Sequence, residues 1–134
     1  MAAFKELLGA TLLTKDGEKP TEEALADKEH VMLYFSAHWC PPCRGYTPQL
    51  SEAYAASGKK DKVAIVFVSS DRDQSAFDEY YGEMSFFALP FSERDTKAKL
   101  GEKYEVRGIP SLVLLDGAGE TKDKNARGKH GDYL

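Results

Sequence analysis

Long apolar runs are missing from this chain. No stretch approaches the roughly 18–20 consecutive apolar residues that a membrane-spanning helix needs, so no transmembrane segment is expected. Met1 to Thr14 holds one cation, Lys5, and no apolar stretch of signal-peptide length, so a cytoplasmic location, shared with the nucleus, is the expectation. A cationic excess is missing too: 18 Lys and Arg against 22 Asp and Glu leave a formal charge of −4. A weakly acidic chain offers no general attraction to a phosphate backbone, so nucleic acid is not an expected partner. Cysteine is scarce, with only Cys40 and Cys43 present. Their spacing closes too small a loop to staple a fold and excludes a multi-bridge secreted scaffold. Linkers, repeats and low-complexity segments are also absent. With 134 residues, 42% hydrophobic and 30% charged, residues 1–134 read as a single soluble domain with its own core, expected to be a monomer.

What is present is a set of short buried-strand and helix patterns. Residues 4–14 suit a short helix or strand ending at Lys15-Asp16-Gly17, and Thr21 is placed to cap a short helical turn. Val31 to Phe35, Val63 to Val68 and Leu112 to Leu115 are unbroken apolar runs, which suit strands covered on both faces. Tyr46, Leu50, Ala53, Tyr54 and Ser57 recur at helical spacing after Cys43, with Pro48 expected to kink that helix and Gly58 to end it. Asp71 or Asp73 is placed to cap a helix whose inner face carries Ala76, Phe77, Tyr80 and Tyr81. Glu83 to Arg94 reads as a mixed loop in which Phe86 and Phe87 either pack or offer a docking surface. Thr96 to Tyr104 is helical in composition. Asp116 to Gly119 reads as a hairpin turn that brings Glu120 to Ala126 back antiparallel, and the charged stretch Thr121 to His130 reads as a solvated edge and tail. The first two buried strands are joined through a helix and should be parallel. The fold class is therefore α/β, a central mixed sheet flanked by helices.

The chemistry concentrates in Trp39-Cys40-Pro41-Pro42-Cys43-Arg44. A strand that runs into Cys-x-x-Cys and opens a helix puts the first thiol at a helix N-terminus. Free N–H groups and the positive end of the helix dipole favour a thiolate there. Thiols so placed have pKa values lowered from about 8.5 to roughly 3.5–7.5, and the thiolate is the species that attacks a disulfide. The spacing puts the Cys43 sulfur one helical turn on, within bonding distance of Cys40 and on the more buried side. Pro41 and Pro42 stiffen the loop and remove two N–H groups.

Trp39-Cys40-x-Pro42-Cys43 followed by Pro48, together with Arg107-Gly108-Ile109-Pro110-Ser111, resembles the thioredoxin superfamily. Ser36 to Pro48, Phe77 to Met84 and Ala88 to Phe91 resemble its tryparedoxin and nucleoredoxin branch, and the likeness covers residues 7–128. The resemblance implies a thioredoxin fold and a thiol–disulfide oxidoreductase, a protein-disulfide reductase. It implies Cys40 as attacking and Cys43 as resolving cysteine. It implies a cis Ile109-Pro110 peptide packed against the sulfurs, the Ile109 backbone pairing with a target segment, Trp39 covering one side, and Arg127 near the substrate groove. Expected partners are disulfide-containing proteins, with peroxiredoxin-type peroxidases as candidates, and an upstream thiol donor: an NADPH-dependent reductase system, glutathione or trypanothione. No bound cofactor and no metal are expected. Thioredoxins carry a buried aspartate six residues before the first cysteine. Here that position is Tyr34, so proton transfer to Cys43 falls to water, the Tyr34 hydroxyl or another group. Ser70-Asp71-Arg72 and Ser85-Phe86 sit closer to nucleoredoxins than to tryparedoxins. The Phe-Pro-Trp tail of both groups is absent, so the last family helix is expected to be missing or truncated.

Other uses of the pair stand beside this one. A zinc site usually takes four ligands. No second Cys-x-x-Cys exists, and His30, His38 and His130 lack finger-like spacing. A metal or cluster dimer bridged by Cys40 and a redox-sensing interaction module without efficient turnover are the remaining alternatives. His38, two residues before Cys40, is a further candidate base, although a solvated loop histidine is the commoner case.

Overall fold

Apolar runs without alternation need cover on both faces, and this chain supplies it. The computed structural model describes residues 2–128 and 134, so residues 129 and 130 of the charged stretch, His130 included, lie outside the described residues. The elements run α1 (Ala2–Leu8), β1 (Thr11–Thr14), β2 (Gly17–Pro20), α2 (Thr21–Ala24), β3 (His30–Ser36), α3 (Pro41–Ala56), β4 (Val63–Ser69), α4 (Gln74–Tyr81), β5 (Phe87–Ala88), α5 (Arg94–Lys103), β6 (Ser111–Asp116) and β7 (Thr121–Asp123). One mixed sheet carries the strands in the order β2-β1-β5-β4-β3-β6-β7. β3 lies inside it, parallel to β4 with Met32 opposite Ile65 and antiparallel to β6 with Met32 opposite Leu114.

The period-2 alternation of a strand divides the core into two layers. Val31, Leu33, Phe35, Ala64, Val66, Val68, Val113 and Leu115 pack with Phe4, Leu8, Leu25, Leu100 and Tyr104 on the α1, α2 and α5 side. Met32, Tyr34, Ile65, Phe67, Leu112 and Leu114 pack with Leu50, Tyr54, Phe77 and Tyr80 on the α3 and α4 side. Phe67 stacks on Phe77 at 5.7 Å and meets Tyr80 edge-on at 5.4 Å, which ties α4 to the sheet. Phe86 is buried against Tyr34 and Tyr54, and Phe87 packs on the opposite layer, so both are packing residues.

Several local expectations are corrected. The segment read as helix or strand contains both, and a second strand, β2, follows in polar, exposed sequence. Thr21 is not an N-cap: Pro20 holds that position, and the buried Thr21 hydroxyl donates to the Gly9 carbonyl at 2.6 Å. Asp73, not Asp71, caps α4, accepting the Ala76 N–H at 2.8 Å. The helix after the cysteines ends at Ala56 with Ser57, not Gly58, as its C-cap, and it contains Pro48. The Glu83–Arg94 loop contributes β5 to the sheet. The returning strand after the Asp116 turn is shorter than expected, spanning Thr121–Asp123.

Candidate active site

The two cysteines sit where β3 gives way to α3. Cys40 is the N-cap of α3 in extended conformation, and Pro41 and Pro42 fill its first two positions. Proline suits the first turn because an N–H there has no intrahelical partner. The Arg44 N–H is already bonded to the Cys40 carbonyl at 3.1 Å, so the double proline thins the donor set facing the Cys40 sulfur. Both thiols are free; Cys40 is 6% exposed and Cys43 0%. Ile109-Pro110 is a cis peptide bond, and the Ile109 carbonyl accepts from Cys40 Sγ at 3.8 Å. The distant Gly-Ile-Pro thus lies against the cysteine pair, and Ile109 packs in one apolar cluster with Ala37, Cys40 and Cys43.

The loop before Cys40 is fixed by the end of β4. Asp71, 5% exposed, accepts the His38 N–H through Oδ1 at 2.7 Å and the Ser69 hydroxyl through Oδ2 at 2.6 Å. The Ser70 N–H donates to the Ser36 carbonyl at 2.8 Å, and Trp39 Nε1 donates to the Ser70 carbonyl at 2.9 Å. Arg94 ties the same corner down by donating to the Ser69 carbonyl at 2.9 Å. The Trp39 ring stays 50% exposed beside the cysteines, with the Arg72 guanidinium 5.5 Å from its centre. The sequence offers Asp71 as an alternative helix cap and as part of the Ser70-Asp71-Arg72 likeness; its role as a clamp on the His38 main chain is visible only in three dimensions.

Behind Cys43 lies a buried group of hydroxyls. Ser36 Oγ is 2.7 Å from Tyr80 OH, Tyr80 OH is hydrogen-bonded to Thr47 Oγ1, and Thr47 Oγ1 is 2.6 Å from Tyr34 OH. Hydrogen bonding by the Ser36 hydroxyl and the Ala37 N–H favours a thiolate at Cys43. Burial first, then the adjacent Cys40, pushes the Cys43 thiol up to about 11, and those two donors oppose the rise. Burial also raises Tyr34 and Tyr80. Tyr34, one of the sequence candidates for serving Cys43, reaches it only through this chain. Ser36 and Thr47 carried no sequence signal of their own, and Tyr80 read as a core-face aromatic.

The His38 ring stacks on Tyr80 at 5.1 Å, and its Nε2 lies 3.6 Å from the Glu83 carboxylate. Arg127 donates from Nη1 to the Pro110 carbonyl at 3.3 Å, beside the cis peptide. It lines a cavity of about 780 Å³ with Arg107, Ile109, Pro110 and Lys124. A second cavity, of about 480 Å³, opens on the other side of Ile109 toward Trp39, Lys97 and Gly101. A third, of about 310 Å³, joins Pro42, Tyr46, Pro110 and Arg127. Every residue singled out in the sequence for this site, Pro41 included, is therefore in one neighbourhood. Among the described residues no group of three or more His, Cys, Asp or Glu side chains is placed to hold a metal ion, and no helix is long and apolar enough to cross a membrane.

Comparison with known proteins agrees with this geometry. A family model described as Thioredoxin-like matches residues 28–121. Nucleoredoxin from Bos taurus is 38% identical over 92% of the chain, and the chain spans 28% of that longer protein. Tryparedoxin from Trypanosoma brucei brucei is 43% identical over 84% of the chain and 77% of its own length. The structure of tryparedoxin II from C. fasciculata superposes with a TM-score of 0.89 at 32% identity, covering 98% of this chain and 88% of the other. The chain belongs to the thioredoxin-like family, a family of thiol oxidoreductases, with nucleoredoxins and tryparedoxins among its relatives.

Proposed function

We propose that the chain reduces protein disulfides by cycling Cys40 and Cys43 between dithiol and disulfide. The observation that carries this reading is the placement of Cys40 at the α3 N-terminus, facing the Ile109 carbonyl, with Cys43 buried directly behind it. The Cys40 thiolate attacks one sulfur of a target disulfide; a Cys40–target disulfide forms and the other target sulfur leaves, taking up a proton. Cys43 then attacks the Cys40 sulfur. The Cys40–Cys43 disulfide forms, the Cys43 proton passes to the leaving target sulfur, and the target has gained two electrons and two protons. An upstream thiol donor returns the pair to the dithiol.

The environment of Cys43 suits this order. Two of the influences that hold its proton come from Cys40: the hydrogen bond between the thiols and the Cys40 charge. Both disappear once Cys40 is tied to a target, so Cys43 becomes easier to ionise when its attack is due. Trp39, Pro41, Pro42, Ile109, Pro110 and Arg127 are proposed to position the target, with disulfide-containing proteins, peroxiredoxin-type peroxidases among them, as substrates.

The test is reduction of an insulin-like disulfide with thioredoxin reductase and NADPH, glutathione and trypanothione as competing donors. Cys40→Ser should abolish reduction, and Cys43→Ser should trap a covalent adduct with the target that dithiothreitol releases. Full activity in Cys40→Ser would end the assignment. Redox-dependent partner binding by the unaltered protein, without turnover on any donor, would favour an interaction module.

A further inference from the structure

The chain has five arginines, Arg44, Arg72, Arg94, Arg107 and Arg127, and all five lie at the cysteine end of the fold. Arg94 is spent on structure, bonded to the Phe91 and Ser69 carbonyls. The other four are exposed and come from four separate segments around Cys40. Arg44 follows Cys43 in α3, Arg72 sits over Trp39 in the β4–α4 loop, Arg107 precedes Ile109, and Arg127 follows β7 and holds the Pro110 carbonyl. None of the four forms an ion pair among the described residues.

The carboxylates nearby are mostly committed elsewhere. Glu105 is held by Lys124 at 2.7 Å with Arg107 also acting on it, Glu83 lies 3.6 Å from His38 Nε2, and Asp71 is buried in its own hydrogen bonds. Glu102 lines the cavity on the Trp39 side, where Lys97 and Arg107 outnumber it. The rim around the cysteines is therefore cationic on a chain whose net charge is −4. On a weakly acidic body, this local reversal of sign orients the encounter with an anionic partner. Guanidinium groups also suit carboxylates in particular, through paired N–H donors.

We infer that the groove along Ile109 selects protein segments carrying Asp or Glu beside the reactive cystine. This rests on the disulfide-reductase reading above and names its substrate class. An extended polypeptide is the occupant because the two larger of these cavities flank one stretch of main chain, Arg107, Gly108 and Ile109, which lines both: one opens toward Trp39, the other toward Lys124 and Arg127. A chain crossing the Ile109 main chain next to Cys40 places its flanking side chains against Arg107 on either side.

The experiment uses two synthetic peptides with the same cystine loop, one flanked by Glu and one by Lys, and an uncharged disulfide, bis(2-hydroxyethyl) disulfide. Pre-reduced protein is mixed with each, and peptide thiols are counted by alkylation and mass. The Glu peptide should be reduced roughly tenfold faster than the Lys peptide at about 0.01 M salt, the advantage shrinking below about twofold near 1 M. Arg107→Glu combined with Arg127→Glu should invert the ratio of the two peptides, and Arg107→Gln should diminish it. Equal rates at low salt, a faster Lys peptide, or a preference that survives charge reversal overturns the selection while leaving the reductase reading standing. Oxidised glutathione showing as steep a salt effect as the Glu peptide would assign the rim to a small anionic thiol and overturn it too. No reduction of either peptide or of the uncharged disulfide overturns the reductase reading, and this inference with it.

Discussion

Ser36 and Tyr80 are joined by a buried hydrogen bond of 2.7 Å between their hydroxyls, and the Ser36 hydroxyl also favours a thiolate at Cys43. Ser36 closes β3 and Tyr80 lies on α4, so the bond spans the sheet-to-helix interface next to the inner sulfur. No carboxylate occupies the position six residues before Cys40; Tyr34 does, and it joins the far end of the same hydroxyl chain through Thr47. A hydroxyl chain cannot take and keep a proton as a carboxylate does. It stabilises the thiolate by donating to it, with the donor held in place by its neighbours.

Ser36→Ala removes that donor. The Cys43 thiol should rise further above its value of about 11. Resolution of a preformed Cys40–target disulfide should slow by about tenfold, the equivalent of roughly 1.4 kcal/mol, at the low end for a hydrogen bond to a charged group. Rapid mixing that follows release of the second target thiol reads the step directly. Tyr80→Phe should show a smaller slowing of the same step, since it frees Ser36 to rotate without deleting it. Unchanged release in Ser36→Ala would remove Ser36 from the chemistry.

Asp71→Ala should destabilise the protein by about 2–4 kcal/mol, because it leaves the His38 N–H and the Ser69 hydroxyl without their buried acceptor and Arg94 without its nearest negative charge. Asp71→Asn retains an acceptor for His38 and should cost less. Urea unfolding midpoints rank the two. Equal midpoints for Asp71→Ala and the unaltered protein would show that the clamp contributes nothing.

Alkaline pH should weaken the reduced protein in a defined window. The folded state holds the Cys43 thiol up to about 11 against an ordinary 9.0, and burial raises Tyr34, Tyr80 and Tyr81 in the same direction. A raised pKa means that the unfolded chain loses its proton first. The stabilisation is complete below about pH 9 and is lost as pH climbs through about 11. Unfolding midpoints of the reduced protein should therefore fall across that interval. Cys43→Ala should fall less steeply between about pH 9 and 11, since the raised thiol is gone while the raised tyrosines remain. Parallel slopes for the two proteins would count against a perturbed Cys43.

Legibility in the sequence followed burial. β3, β4 and β6 stood out because both faces are covered, which demands apolar residues at every position. β2 is Gly-Glu-Lys-Pro with all four residues exposed, and β5 is two residues long; neither leaves a hydrophobic pattern to read. Thr21 misled because a threonine before two glutamates has the composition of a cap, whereas its hydroxyl is drawn inward to Gly9 by the packing of α2 on the first strand.

The cysteine pair and its prolines could be found from residue order, because the chemistry of a helix-terminal thiol depends on neighbours within one turn, and the cis proline at Gly108-Ile109-Pro110 followed from the family resemblance of that short motif. The Asp71 clamp, the Ser36–Tyr80–Thr47–Tyr34 hydroxyls and the arginine rim could not. Each assembles groups from segments far apart in the chain: the β3–α3 and β4–α4 loops for the clamp, β3, α3 and α4 for the hydroxyls, four separate segments for the rim. A lone serine, tyrosine or arginine has no local periodicity. Its partner is set by the strand register and helix packing that bring distant backbones together, so these contacts exist only once the two layers have closed on the sheet.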